Sequence, residues 1–91
     1  MMQGRVWYFC KHVVKPRGWS AINELVCYRM PENDPRAATL FKRQDMFFAE
    51  LPATDAASEV AWLTSHHRFL RFSKLTVKDA PADGVASEEL K

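Results

Sequence analysis

Alternating hydrophobic and polar positions in the first third of the chain predict two strands joined by a tight turn. Residues 5–14 are mostly β-branched and aromatic, with apolar side chains in both alternating sets. This pattern is typical of a central strand covered on both sides, or of a strand with an aromatic face open to a partner. Residues 15–18 contain Pro16 and Gly18 and predict the turn. Residues 19–30 fit a helix or a strand, and the short connection before them favours a strand paired with the first.

The middle of the chain has a shorter and less regular apolar pattern. Ala37, Leu40 and Phe41 predict a short helix after a proline-rich loop, and residues 46–51 predict a third strand. The competing interpretation is a single helix over residues 34–51, because the apolar positions of both segments stay near one helical phase. We expect the short helix followed by a strand.

The clearest element is a helix over residues 54–67. Thr54 or Asp55 is a suitable N-cap, and Glu59 adds negative charge near the same end. The expected apolar stripe of this helix consists of Ala56, Val60, Leu63 and His67, and Trp62 lies at one side of the stripe. We therefore expect Val60 and Leu63 to face the sheet.

The last part of the chain divides into a strand and a tail. Residues 68–78 contain regularly spaced apolar positions and predict a final strand, whereas residues 79–91 are rich in small, polar and acidic residues. We therefore expect one domain over residues 1–78 and an acidic flexible tail over 79–91.

This order of elements predicts an α+β fold. We expect a small antiparallel or mixed sheet of about four strands with one main helix packed on one face. The alternative is a hairpin with two helices and a C-terminal strand, which follows if residues 34–51 form one helix. A single helix covers only one face of the sheet, so the other face of the first strand would have to contact something else.

Composition limits the chain to one globular domain. It has 91 residues, of which 47% are hydrophobic and 12% aromatic, which excludes a multidomain enzyme and an entirely disordered chain. No stretch approaches the ~20 apolar residues of a membrane span, and the N-terminus does not resemble a signal peptide. We therefore expect a cytoplasmic protein without a membrane partner.

Motifs for catalysis and for cofactor binding are absent from the sequence. There is no G-x-S-x-G or S-x-x-K nucleophile motif, no H-E-x-x-H, and three glycines are too few for a glycine-rich phosphate loop. We therefore predict a protein that is not an enzyme and has no cofactor.

Two cysteines and three histidines are the only candidates for a metal site of the nitrogen and sulfur type. Cys10 and His12 share a strand face, a hairpin brings Cys27 near them, and His66 or His67 could complete a ligand set. The spacing lacks the C-x-x-C pair that makes zinc sites recognisable. We therefore predict no metal and expect both cysteines to be buried thiols, with a disulfide as the lesser alternative.

Aromatic residues near the first two strands indicate a protein-binding role. Tryptophan, tyrosine and arginine are enriched in interface cores and are frequent in this short chain. We predict a small protein-binding module, such as an adaptor, an inhibitor or a complex subunit, whose partner is another protein or a second copy of the chain. The expected partner-binding residues are Trp7, Tyr8, Phe9, Trp19 and Tyr28.

Basic residues among the aromatics provide the alternative, which is a nucleic-acid-binding domain. Four of the eleven acidic residues lie in residues 79–91, so the body of the chain is more basic than the net charge of +2. Sheet aromatics flanked by basic residues can stack single-stranded bases, although the motif of RNA-recognition domains is absent. The residues expected to contact a polyanion are Lys11, Lys15, Arg17, Arg68, Arg71 and Lys74.

Overall fold

The computed structural model describes residues 4–81, which form one four-stranded sheet, one main helix and one short helix. In chain order the elements are β1 (Arg5–Arg17), β2 (Ser20–Pro31), α1 (Ala37–Leu40), β3 (Met46–Pro52), α2 (Ala56–His66) and β4 (Lys74–Asp79). Within these residues, no helix is both long enough and apolar enough to cross a membrane.

The sheet is mixed and has the order β3-β1-β2-β4. Strand β1 is antiparallel to both of its neighbours, whereas β4 is parallel to β2. Helix α2 connects β3 to β4 on opposite edges, as parallel strands require a crossover connection. The predicted α+β fold is therefore confirmed. A single helix over residues 34–51 is wrong, because residues 46–52 pair with β1 along their whole length.

The turn of the β1–β2 hairpin lies later than expected. The strands pair as far as Arg17 with Ser20, so the connecting residues are Gly18 and Trp19. Gly18 has a φ of 61°, the left-handed conformation that glycine supplies at the first position of a two-residue hairpin. Pro16 is tolerated inside β1 because β3 ends its pairing at Lys11, which leaves that side of the strand without a neighbour.

Both faces of β1 are covered by the chain itself. On one face, Tyr8 and Cys10 pack with β2, β3 and Leu63 of α2. On the other face, Phe9 packs with Tyr28, Met30 and the short helix α1. The expectation that one helix leaves an apolar face of β1 open is therefore corrected, because α1 and its flanking residues cover the second face.

The start of α2 matches the sequence pattern, but the direction of its buried face does so only in part. Asp55 is the N-cap, and its carboxylate accepts a hydrogen bond from the Ser58 backbone N–H at 2.8 Å. Val60, expected to face the sheet, is 46% exposed, whereas Glu59 is buried. Leu63 and His67 of the predicted stripe are buried as expected. The buried face of the helix is therefore turned only slightly, away from Val60 and toward Glu59, which has buried partners on the sheet.

The last strand is shorter than predicted. Residues 68–73 are a turn and an irregular segment, and β4 begins at the next residue. Just before it, the Ser73 N–H donates a hydrogen bond to the carbonyl oxygen of Asn23 at 2.8 Å. These residues return the chain from the end of α2 to the sheet edge. At the other end, β4 includes Asp79, and the Ala80 N–H bonds the carbonyl oxygen of Arg29. Strand β4 therefore ends one residue into the tail predicted over residues 79–91, and residues 82–91 of that tail lie outside the described residues.

Candidate functional site

Helix α2 presents one buried row to the sheet, formed by Glu59, Leu63 and the residue that ends the helix, His67. These residues are four apart, so their side chains lie one above another along the helix. Two of the three are polar, which is unusual for a helix face packed on a sheet. The two polar members have separate surroundings at opposite ends of α2.

At the N-terminal end of α2, Glu59 belongs to a buried hydrogen-bonded network. Arg29 of β2 donates from Nε and Nη2 to the carboxylate oxygens at 2.6 and 2.8 Å, and the Tyr8 hydroxyl donates at 2.5 Å. The Arg29 bonds, followed by the Tyr8 bond, hold the pKa of Glu59 below its ordinary value. Burial and the adjacent carboxylate raise the pKa of Tyr8. The geometry therefore favours an ionised carboxylate beneath the helix.

The lowered pKa of Glu59 predicts a loss of stability in acid. The pKa of a glutamate in the unfolded chain is near 4.5. A group whose pKa is lower in the folded state stabilises the fold above that value, and the stabilisation is lost as the pH falls through the folded-state pKa. We expect the free energy of unfolding, measured in urea, to fall steeply below pH 4.5, in addition to a separate loss from His67, whose lowered pKa reduces stability as the pH falls below about 6.5. In Glu59→Gln the free energy of unfolding should fall less steeply in acid. The same pH profile in this variant as in wild type would contradict the view that ionised Glu59 stabilises the fold.

At the C-terminal end of α2, two cysteines and a histidine form a compact buried cluster. Cys10 and Cys27 are directly opposite each other on β1 and β2, and His67 lies against them. Their sulfur and imidazole ligand atoms all lie within 4.8 Å of one another. Hydrogen bonding to Cys27 and then burial raise the pKa of the Cys10 thiol, while burial and then His66 lower the pKa of His67. These shifts favour neutral side chains when the cluster holds no ion.

The imidazole of His67 has an unsatisfied atom. Its Nε2 is buried, and no hydrogen-bond partner for it exists among the described residues. A buried polar atom without a partner costs free energy, so such atoms are rare in native structures. The ring is otherwise packed beside Phe47 and His66, at centroid distances of 6.1 and 4.9 Å.

The other histidines grouped with the cysteines by sequence lie outside this cluster. His12 is on the same face of β1 as Cys10, but its Nε2 is 3.1 Å from the carbonyl oxygen of Arg71. His66 is exposed. The sequence named all three members of the cluster as candidate ligands, but it left the choice among the histidines open. That choice depends on which side of α2 faces the sheet.

The structure separates the five residues predicted to bind a partner. Tyr8, Phe9 and Tyr28 are buried in the domain at 1–3% exposure, so their side chains are not available on its surface. Trp7 is half-buried, and its Nε1 donates to the Glu50 carboxylate at 3.1 Å. Trp19 is fully exposed at the end of the β1–β2 hairpin, far along the strands from Trp7. Alternation on central strands directs the side chains of Tyr8, Phe9 and Tyr28 into the two cores, and partner binding by the five residues stays a prediction.

Exposed aromatic side chains are instead concentrated on and beside β3, and the sequence analysis missed them. Phe47 and Phe48 are consecutive, so they lie on opposite faces of the sheet, and both are exposed. Phe41, after α1, is exposed too, and its ring centroid is 4.9 Å from that of Phe48. On the α2 side, Trp62 and Leu51 line an open groove of about 580 Å³. We refer to Phe41, Phe47, Phe48 and Trp62 as the aromatic edge.

The basic residues predicted to bind a polyanion are distributed over several elements. Lys11 and Lys15 on β1 form ion pairs of 3.7 Å with Asp45 and Glu24. The guanidinium of Arg68 lies 4.7 Å from the ring centroid of Phe69. The other three lie at the end of the hairpin, in the segment after α2 and at the start of β4, and these are Arg17, Arg71 and Lys74. Arg68 and Arg71 precede β4 and do not lie on the predicted last strand, and nucleic-acid binding stays a prediction.

Comparison of the chain with models of protein families, with curated proteins and with solved structures found no match.

Proposed function

We propose that the chain is a small non-enzymatic protein-binding module that pairs with a second copy of itself along the outer edge of β3. This proposal rests on one observation. Strand β3 is an edge strand with exposed aromatic side chains on both faces of the sheet. An edge of this kind can add a strand from another polypeptide, and the flanking side chains then become buried.

The two edges of the sheet differ in the features that normally prevent strand addition. On β4, three of six residues are charged, namely Lys74, Lys78 and Asp79. Strand β3 has one charged residue in seven, Glu50, and two of its other residues are the exposed Phe47 and Phe48. Charged side chains on an edge discourage pairing with other chains, whereas an apolar edge favours it. The contrast supports β3 as the edge that receives the partner.

The outward N–H groups of β3 are in the right places for this pairing, and the Glu50 carbonyl oxygen, which accepts from Arg5 Nη2 at 3.0 Å, would exchange that bond for one across the interface. Ala53 donates its N–H to the carbonyl oxygen of Gly4 on the β1 side. Backbone groups of an antiparallel strand alternate in direction from residue to residue. The N–H groups of Met46, Phe48 and Glu50 therefore point outward, and Pro52, which has none, loses no bond within the sheet.

One register of two antiparallel β3 strands uses all of these outward groups. Centred on Phe48, it places Phe48 opposite Phe48 of the second copy and Met46 opposite Glu50, and it leaves Pro52 beyond the paired residues. Phe47 is then opposite the small Ala49 of the second copy. No two like charges are directly opposite, a condition that favours cross-strand pairing. This self-complementarity is the reason for choosing a second copy over an unrelated partner, and a two-fold axis at Phe48 gives a closed dimer.

The proposal predicts a dimer that a single charge at the axis disrupts. Light scattering after size exclusion, at micromolar concentration, should give twice the chain mass of 10.5 kDa. Phe48→Lys places two ammonium groups opposite each other across the axis, and we expect the dissociation constant to rise at least tenfold. Because Phe48 also packs against Trp7 and Phe41, Phe47→Lys is a second variant that does not disturb those contacts.

The matched control is Trp19→Lys, which makes the same kind of change at an exposed aromatic far from β3. We expect this variant to remain a dimer, and circular dichroism should show that all three variants are folded. A wild-type mass of 10.5 kDa at every concentration would contradict the proposal. Dissociation by Trp19→Lys and not by Phe48→Lys would move the interface to the hairpin. A monomer with salt-dependent binding to single-stranded nucleic acid would favour the alternative function.

A further inference from the structure

We propose that Cys10, Cys27 and His67 form a zinc-binding site that connects the β1–β2 hairpin to the C-terminal end of α2. The site does not depend on the proposed dimer, because all three residues are buried on the α2 side of one chain. Neither the sequence spacing nor the exposed surface indicates it, since its members come from three elements.

The positions of the three ligand atoms are close to those that zinc requires. Zinc binds thiolate sulfur at about 2.3 Å and imidazole nitrogen at about 2.0 Å in tetrahedral geometry, which separates ligand atoms by about 3.5–3.8 Å. In this structure, the two sulfurs and the imidazole nitrogen all lie within 4.8 Å of one another. An inward movement of about 1 Å is enough to reach the zinc geometry, and rotation about the side-chain bonds can supply it.

The surroundings of His67 are a second and independent indication. The side chain is 6% exposed, and its Nε2 has no hydrogen-bond partner among residues 4–81. A buried imidazole nitrogen without a hydrogen-bond partner is costly. A metal ion converts this polar group from a destabilising one into a ligand, and histidine is the most common protein ligand for metals.

The chemistry of the donor set selects the class of ion. Magnesium and calcium prefer oxygen ligands, and Glu59, the buried carboxylate in the same row of α2, is held by Arg29. Thiolate with imidazole suits zinc or monovalent copper. Zinc with two thiolates is electrically neutral, whereas Cu⁺ with two thiolates retains one negative charge, which is unfavourable in a core. Binding releases the two thiol protons to solvent, and the three protein ligands leave the fourth position of zinc for a water molecule.

The ion would complete the attachment of α2. Glu59 anchors one end of the helix, and Leu63 packs beneath its middle. The exposed residues of α2 contribute little to its packing on the sheet. A third contact at His67 therefore adds a large share to the stability of that packing. Zinc at this position stabilises the folded chain directly, because the unfolded chain does not present the three ligands together.

Cobalt titration of the full-length chain tests the proposal. The protein is reduced, freed of metal under argon and titrated with Co²⁺, whose bonds to thiolate give an intense near-ultraviolet charge-transfer band. We expect the band to reach a plateau at one equivalent and to disappear when Zn²⁺ is added. We also expect zinc to raise the thermal midpoint of the metal-free protein by several degrees.

Three variants and one matched control assign the ligands. Cys10→Ser and Cys27→Ser should each lower the affinity for zinc at least tenfold, and His67→Phe should do the same while keeping a ring of similar shape in the core. His66→Gln changes the adjacent, exposed histidine and should bind like wild type. Circular dichroism establishes which variants are folded, and His67→Phe keeps the test decisive if a buried serine prevents folding.

Several results would overturn the proposal. These are the absence of a charge-transfer plateau in the reduced protein, equal zinc binding by Cys10→Ser and wild type, loss of binding in His66→Gln but not in His67→Phe, and tight binding of Cu⁺ without binding of Zn²⁺. Formation of a Cys10–Cys27 disulfide in air, with no metal uptake by the reduced chain, would also overturn it and would assign the pair to redox chemistry.

Discussion

Replacing Glu59 by alanine should destabilise the domain by about 3 kcal/mol, because it leaves Arg29 without its main partner beneath α2. The Glu59 side chain is 6% exposed, and the carboxylate accepts two bonds from Arg29 and one from Tyr8. Arg29 keeps partial access to water, which places the cost at the lower end of the range for broken buried pairs. Proteins of this size have a total stability of roughly 5–14 kcal/mol, so the expected loss is a large part of it. Urea denaturation followed by tryptophan fluorescence measures the change.

Asp79→Ala is the matched control for this prediction. Asp79 contacts the same arginine at the same distance of 2.6 Å, but its side chain is 82% exposed. A solvent-exposed ion pair contributes little, so we expect a loss below about 1 kcal/mol. Equal effects of Glu59→Ala and Asp79→Ala would contradict the view that burial, and not the ion pair itself, makes Glu59 important.

Leu63→Ala should have an effect of similar size, a loss of about 2–5 kcal/mol in the free energy of unfolding. Leu63 is fully buried between the sheet and α2, where it contacts the core around Tyr8 and Leu25. Truncation removes apolar contacts and leaves a cavity that the sheet cannot close, because its strands are held in register by their hydrogen bonds. Chemical denaturation at neutral pH measures this loss.

Val60→Ala is the control for the direction of the helix. Val60 is on the exposed side of α2, so its truncation should change stability by less than about 0.5 kcal/mol. Alanine has the higher helix propensity, and a slight stabilisation is the expected sign. If Val60→Ala costs as much as Leu63→Ala, the direction of the buried face of α2 described above is wrong.

The order and type of the elements could be predicted from the sequence because each depends on local signals. The β-branched and aromatic pattern of residues 5–14 predicted a strand that is central, and β1 is indeed paired on both sides. The Asp55 cap placed the start of α2 correctly. The first half of the predicted last strand, residues 68–73, is not a strand, because apolar spacing does not distinguish a strand from an irregular segment packed on a core.

The candidate sites could be predicted only in part. Cys10 and Cys27 were expected to approach each other, and the hairpin places them directly opposite. The choice of His67 over His66 and His12 was open, because it depends on which side of α2 faces the sheet. The aromatic edge was missed, since nothing in residues 46–52 distinguishes an edge strand from a central one.

By itself, the sequence determined that this chain forms one α+β domain with two adjacent strands, a short helix, a third strand, a main helix and a final strand. Only the tertiary structure decided three further properties: β3 lies outside β1, α2 turns Glu59 and not Val60 inward, and two cysteines meet a histidine 40 residues beyond Cys27. The physical reason is the same in each case. Local propensity and periodicity act over a few residues, whereas strand order, a buried ion pair and a ligand cluster depend on energies between distant parts of the chain.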